Sequence, residues 1–186
     1  MIETERRIVM SKPHWRPAHA SDLPAISAIA ARIHPDLPER PEVFSEKMRL
    51  CPDGCRVLAA GDETVGYGLS HPWTQHRIPP LDDFLEALPD DADCFYVHDV
   101  AVLAGGRGGA ARAYVAEIED LARSSGIATL ALVSVYDTRP LWQRLGFRPV
   151  TADEELRAKL KPYGGNATYM LRELTPPARP ARLTGA

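Results

Sequence analysis

Residues 94–114 read CFYVHDVAVLAGGRGGAARAY, and the fold turns on how this stretch is read. Cys94 to Leu103 carries the strongest strand pattern in the chain, rich in β-branched and aromatic residues. Four glycines and an arginine follow. The chain then takes up helical periodicity from about Gly109 to Ser125, with Ala111, Val115, Ile118, Leu121 and Ala122 on one face and Gly126 as the stop. Glycines let backbone N–H groups come close to a ligand. Delivered with a guanidinium to a helix N-terminus, they make an anion site of free N–H groups, helix dipole and charge. No Lys-Ser/Thr follows the glycines, and GxGxxG cannot be laid on GGRGGAAR, so the nucleotide-hydrolase and dinucleotide loops do not fit. A pyrophosphate suits the site, although a plain strand-to-helix turn would look the same.

Working outward, residues 128–135 (ATLALVSV) form a continuous apolar run, as in a strand buried on both faces. Asp137 or Thr138 caps a short helix, RPLWQRL, that Gly146 ends. Phe147–Val150 reads as a strand, Thr151 and Glu154 as a capping box, and Ala167–Leu174 as the last strand. Toward the N-terminus, Trp15–Ala18 is a short strand. Ser21-Asp22 cap a helix with Leu23, Ile26, Ile29, Ala30 and Ile33 at helical spacing, ending near His34-Pro35. Pro41–Leu50 is a second helix. Arg56–Ala60 and Thr64–His71 form a hairpin around Gly61-Asp62-Glu63. Residues 72–93 are a long Pro- and Asp-rich connection of the kind that often serves function. The mixed order implies one α/β domain over residues 13–175, with a flexible leader at 1–12 and a disordered Pro-rich tail at 176–186.

The chain has 186 residues, 45% of them hydrophobic, with a net charge of −3 and a pI near 6.1. That balance gives no footprint for nucleic acid or an anionic membrane. Neither a membrane-length apolar run nor a signal-peptide core is present, so a soluble, cytoplasmic protein is expected. Cys51 and Cys55, in CPDGC, stand one residue too far apart for a CxxC pair and no second ligand pair follows; idle thiols and no metal are expected.

The strand, glycine loop and helix, followed by an apolar strand and a short helix ending in Leu-Gly-Phe, resemble the GNAT superfamily of N-acetyltransferases. The matching stretch runs from Tyr96 to Phe147, and the element order extends the likeness to about residues 14–174. The resemblance implies a central twisted, mixed and mostly antiparallel sheet of about six or seven strands flanked by helices. It also implies acetyl-CoA as co-substrate, its pyrophosphate held by a loop of the form Arg/Gln-x-x-Gly-x-Gly/Ala. Two registers are open: one sets Arg107 in the basic place, with Ala110 and Arg112 in the small-residue places, and the other sets Gly105, Gly108 and Ala110 there. The first keeps the cation and is preferred. In either, Arg107, Gly108, Gly109, Ala110, Ala111 and Arg112 wrap the pyrophosphate. Ala101, Val102 and Leu103 then offer backbone groups to the pantetheine arm, and VSVYDTRPLWQRLGF flanks it through Tyr136 and Trp142.

Attack on a thioester requires a neutral amine and a donor for the oxyanion, and a proton helps the leaving thiolate. The resemblance puts the base on the strand before the glycines, on the face of Val102. Strict alternation then selects Val100, His98 and Tyr96, and turns Asp99 the other way. An imidazole titrates near neutrality, so His98 is the first candidate and Tyr96 the second; a core histidine bonded to a carbonyl is the plain alternative. Family members often place a tyrosine as acid where this chain has Trp142, a donor without useful acidity, so either another group, with Tyr136 and Ser134 nearby, protonates the thiolate or CoA leaves unassisted. His71, Trp73 and Tyr163 are the candidate acceptor-pocket residues. Asp82, Asp83, Glu86, Asp90, Asp91 and Asp93 make either an acidic rim for a cationic amine or a solvated face. The expected activity is acetyl transfer to a primary amine of a small molecule, peptide or protein in a ternary complex, with a homodimer allowed. The missing tyrosine keeps a non-catalytic acyl-CoA-binding module as the alternative.

Overall fold

The computed structural model describes residues 12–106 and 108–175. Arg107, the tail, and all of the leader but Lys12 lie outside the described residues. In chain order the elements are β1 (His14–Pro17), α1 (Leu23–Ile33), α2 (Pro41–Leu50), β2 (Cys55–Ala60), β3 (Glu63–Trp73), β4 (Cys94–Val102) and α3 (Ala110–Ser124). They continue with β5 (Thr129–Ser134), α4 (Arg139–Arg144), β6 (Arg148–Pro149), α5 (Glu154–Leu160) and β7 (Thr168–Glu173). The strands make one seven-stranded sheet in the order β1-β2-β3-β4-β5-β7-β6. All neighbours are antiparallel except β4 and β5.

Alternation along the strands builds a core on each face. On one, Phe95, Val97, Leu130, Leu132 and Met170 pack against Tyr114, Val115 and Ile118 of α3 and Trp142 of α4. On the other, Val57, Tyr67, Leu69 and Ala101 meet Ile26 and Ile29 of α1 and Phe44 of α2. Beyond them Cys94, Tyr96, Ala131 and Tyr169 meet Leu156 and Leu160 of α5. The α5 cap differs from expectation: Asp153, not Thr151, holds the first turn by accepting the Leu156 N–H at 2.8 Å.

Two irregularities shape the middle of the sheet. Leu69 pairs with Asp99 but Ser70 pairs with Val97, so His98 is the extra residue of a β-bulge in β4. Pairing of β4 with β5 ends at Val97↔Leu132, although β4 runs on to Val102 and β5 to Ser134. The two parallel strands therefore part beside the bulge.

Candidate active site

A cleft of about 710 Å³ opens where β4 and β5 separate. Its first part is walled by Val100 and Val102 of β4, the start of α3 from Gly109 to Arg112, and Val135, Tyr136, Leu141, Trp142 and Arg144 after β5. Gly109 stands at the N-cap of α3 with φ +84°, a left-handed backbone that other residues reach only under strain. A Cβ on Gly108 or Gly109 would meet nothing within 4 Å, so this face of the backbone is open. The first-turn N–H groups of Ala110, Ala111 and Arg112 have no acceptor within their own helix. Trp15 pins the turn by donating from Nε1 to Ala110 O at 3.0 Å. On the far wall Trp142 Nε1 donates to Thr138 Oγ1 at 3.1 Å, and that hydroxyl donates to Val135 O at 2.6 Å. The turn between β5 and α4 holds two consecutive left-handed residues, Tyr136 (φ 50°) and Asp137 (φ 57°). They are tied down by the Asp36 N–H on Tyr136 Oη at 3.3 Å and by Asn166 Nδ2 on Asp137 Oδ1 at 2.9 Å.

The second part of the cleft lies under the segment between α1 and α2, and the bulge decides its chemistry. With one extra residue in β4, His98 and Asp99 both turn to the α1–α2 face, and each meets a partner there. His98 Nε2 lies 3.1 Å from Glu39 Oε2. The Glu39 carboxylate also accepts the Asp82 N–H at 3.2 Å and lies 3.9 Å from Nζ of the buried Lys47. Because a carboxylate only accepts, Nε2 of a neutral His98 carries the hydrogen and the lone pair sits on Nδ1. His34 Nε2 lies 2.9 Å from Asp99 Oδ1, and the Tyr67 hydroxyl donates to the other oxygen of Asp99. Burial opposes the charge on Glu39, but His98, Lys47 and the Asp82 N–H together hold its pKa down to about 2. Burial likewise opposes an imidazolium at His34; Asp99, by charge and hydrogen bond, outweighs it and raises the pKa.

Of the residues singled out from the sequence, His98, Val102, Gly109, Ala110, Ala111, Arg112, Tyr136, Trp142 and Tyr163 line this cleft. Tyr163 is held there by donating to Pro79 O at 2.8 Å. Several others do not reach it. Tyr96 is buried in the α5-facing core, where burial pushes its phenol well above the usual range. His71 is fully buried, its Nδ1 bonded to Pro72 O at 3.0 Å; burial, first, and neighbouring charges lower its pKa to about 3. Trp73 packs beside it at 5.2 Å between ring centroids. Both belong to a layer behind His98 rather than to an acceptor pocket, because β3 continues as a sheet strand to Trp73. Ala101 and Leu103 pack on the α1–α2 core, and Gly108 is exposed beside the cleft. The bulge also corrects the facing of the strand: Asp99 joins His98 on one side, while Val100 and Val102 fall on the other.

Glu39, His34 and Asp99 line the second part of the cleft, and sequence periodicity did not assign them to it. One signal was present. The residues facing α3 are Phe95, Val97, Val100 and Val102, a 2-3-2 spacing that marks a phase break at the polar pair His98-Asp99. Glu39 had no such mark, because its partner is 59 residues away. Part of the acidic connection holds the connection itself in place. Asp82 pairs with Arg40 at 2.9 Å, Asp93 accepts the Gln75 N–H at 2.6 Å, and Glu46 of α2 accepts the Leu85 N–H at 2.7 Å.

A model of the acetyltransferase (GNAT) family matches residues 22–147, more than half of the chain, and the protein belongs to that family. Solved structures share its fold. The N-acetylglutamate synthase of Neisseria gonorrhoeae, complexed with coenzyme A and N-acetyl-glutamate, is 21% identical with a TM-score of 0.67, over 88% of this chain and 35% of that one. The present chain thus spans about a third of that protein's length. The GphF GNAT-like decarboxylase in complex with isobutyryl-CoA is 16% identical with a TM-score of 0.70, over 87% of this chain and 100% of that one. The ribosomal-protein-S18-alanine N-acetyltransferase from Escherichia coli is 17% identical with a TM-score of 0.61, over 90% and 97% of the two chains. No curated protein matches the sequence.

Proposed function

We propose that this protein transfers an acetyl group from acetyl-CoA to a primary amine held at the His98–Glu39 end of the cleft. The observation that carries the reading is the parting of β4 from β5 between two kinds of chemistry: open helix N–H groups at one end, a buried carboxylate–imidazole pair at the other. The residues present fit acetyl-CoA. The N–H groups of Ala110 to Arg112 and the Arg112 guanidinium suit a pyrophosphate. The apolar walls of Val100, Val102, Leu141 and Trp142 suit a pantetheine arm lying between β4 and β5 where the two strands part.

At the other end the amine must lose a proton to attack. His98 takes it, and Glu39, ionised throughout the physiological range, faces the imidazolium that results. The three cysteines are free and buried, in keeping with a reducing, cytoplasmic setting. Among the described residues no helix is long and apolar enough to cross a membrane.

Incubation with acetyl-CoA and a panel of amino acids, polyamines and peptide N-termini, followed by free thiol release, tests the reading. Turnover on at least one amine is expected, with His98→Ala lowering kcat/KM by roughly 10²-fold or more. Stabilisation by acetyl-CoA with no turnover on any amine would make the protein an acyl-CoA-binding module instead.

A further inference from the structure

A proton delivered to the departing sulfur speeds acetyl transfer, and the cleft-lining groups narrow its source. The Trp142 N–H and the Thr138 hydroxyl are committed inside the β5–α4 turn. The Tyr163 hydroxyl donates to Pro79 O. Burial, together with Asp36 and Asp99, makes the Tyr136 phenol a weaker acid than usual. Arginines hold their protons at any accessible pH, and His98 has the opposite task. His34 remains. It lies across the mouth of the opening, Nε2 at 2.9 Å from Asp99 on the β4 side and its ring stacked on Tyr136 on the β5 side, centroids 5.5 Å apart. Neither ring nitrogen has a partner in hydrogen-bond geometry: Nε2 faces Asp99 as an ion pair, and Nδ1, on the other side of the ring, is buried with no partner.

We propose that His34, oriented by Asp99, is the general acid of the reaction and delivers its Nδ1 proton to the CoA sulfur. The proposal rests on the acetyl transfer proposed above. The neutral amine, whose ammonium proton His98 has already taken and released to solvent, bonds to the thioester carbon, and the second proton that its nitrogen then sheds passes to His98. As the adduct collapses, the C–S electron pair moves to sulfur and the His34 proton follows it, leaving the amide and the free thiol. His34 then regains a proton from solvent and His98 releases one.

A proton donor should be charged at rest, and the surroundings of His34 favour that. Asp99 from β4, with Tyr67 of β3 behind it, and Glu39 from the segment after α1 bring two carboxylates to it; Asp36 lies beside the Tyr136 that covers the ring, and Arg32 of α1 lines the same cleft. Two dyads, His98–Glu39 and His34–Asp99, thus stem from adjacent residues of one bulge and serve opposite ends of a proton transfer.

The test follows thiol release between about pH 6 and pH 10 with acetyl-CoA and whichever panel amine the wild-type protein uses. His34→Gln is expected to lower kcat roughly tenfold or more, to leave acetyl-CoA affinity by calorimetry within about twofold, and to remove the alkaline limb of kcat. Asp99→Asn is expected to move that limb to lower pH, and with it the titration of the His34 ring followed by NMR in the free protein. Wild-type kcat and an unchanged alkaline limb in His34→Gln would overturn the role. So would an NMR titration in which His34 of the wild-type protein is neutral at pH 7, a result that needs no acceptor and stands even if His34→Gln fails to fold. If the wild-type protein acetylates no amine, the transfer reaction itself fails and this role with it.

Discussion

Replacing Glu39 by glutamine keeps the size of the side chain and removes the charge that faces His98 and Lys47. Its folded pKa of about 2 lies below the 4.5 of a free glutamate, so its contribution to stability is present above the free value and is lost as pH falls toward 2. A depression of this size is worth about 3 kcal/mol. Glu39→Gln should therefore lower stability in urea at pH 7 by an amount of that order, and the gap to wild type should close as pH falls below about 4. Activity should fall as well, because a neutral amide cannot balance an imidazolium at His98. His71 adds a second acid-sensitive element. It is buried and held neutral with a pKa of about 3, so the folded state resists its protonation and loses stability as pH falls below about 6.5. His71→Phe should flatten that part of the stability curve, which has a slope of at most about 1.4 kcal/mol per pH unit for one proton. The sequence supplied the histidines and carboxylates but not their pairing. Partners such as Glu39 and His98, or Tyr67 and Asp99, are brought together only by the fold.

At the scale of elements the sequence was a good guide. Apolar periodicity, prolines at helix starts and glycines past helix ends marked both N-terminal helices, the hairpin, β4, α3 and β5 within a residue or two of where they stand. What it missed was phase within an element. Strict alternation put Tyr96, His98, Val100 and Val102 on one face, whereas the bulge at His98 divides them. Local patterning cannot report a bulge whose cause lies in polar partners on another element. The proposed pyrophosphate site is testable at this scale. Gly109→Ala would put a Cβ on a left-handed N-cap with open space around it. The expected cost is ~1–2 kcal/mol in stability by chemical denaturation, or an unwound first turn of α3. In either case acetyl-CoA affinity by calorimetry should weaken, since the N–H groups of Ala110 to Arg112 lose their aim.

The sheet of the whole molecule is built in two parts, β1 to β4 and β5 to β7, joined by three paired positions between Phe95–Val97 and Leu130–Leu132. A ligand that fills the opening beyond those pairs bridges the two parts and should stabilise the entire fold. At a hundredfold excess of acetyl-CoA over its Kd the gain is about 2.7 kcal/mol, read as an upward shift in Tm that grows with ligand concentration; free pantetheine, lacking the pyrophosphate, should give a smaller one. The sequence by itself determined the elements, their order and the glycine-opened helix start, because these depend on propensity and on contacts near in the chain. Only the tertiary structure decided that His98 and Asp99 share a face, that Glu39 and His34 come to meet them, and that His71, Trp73 and Tyr96 stay behind in the core. Those outcomes depend on where a bulge and a parting of strands bring distant polar groups close enough to satisfy one another, and no periodicity within a single segment encodes that distance.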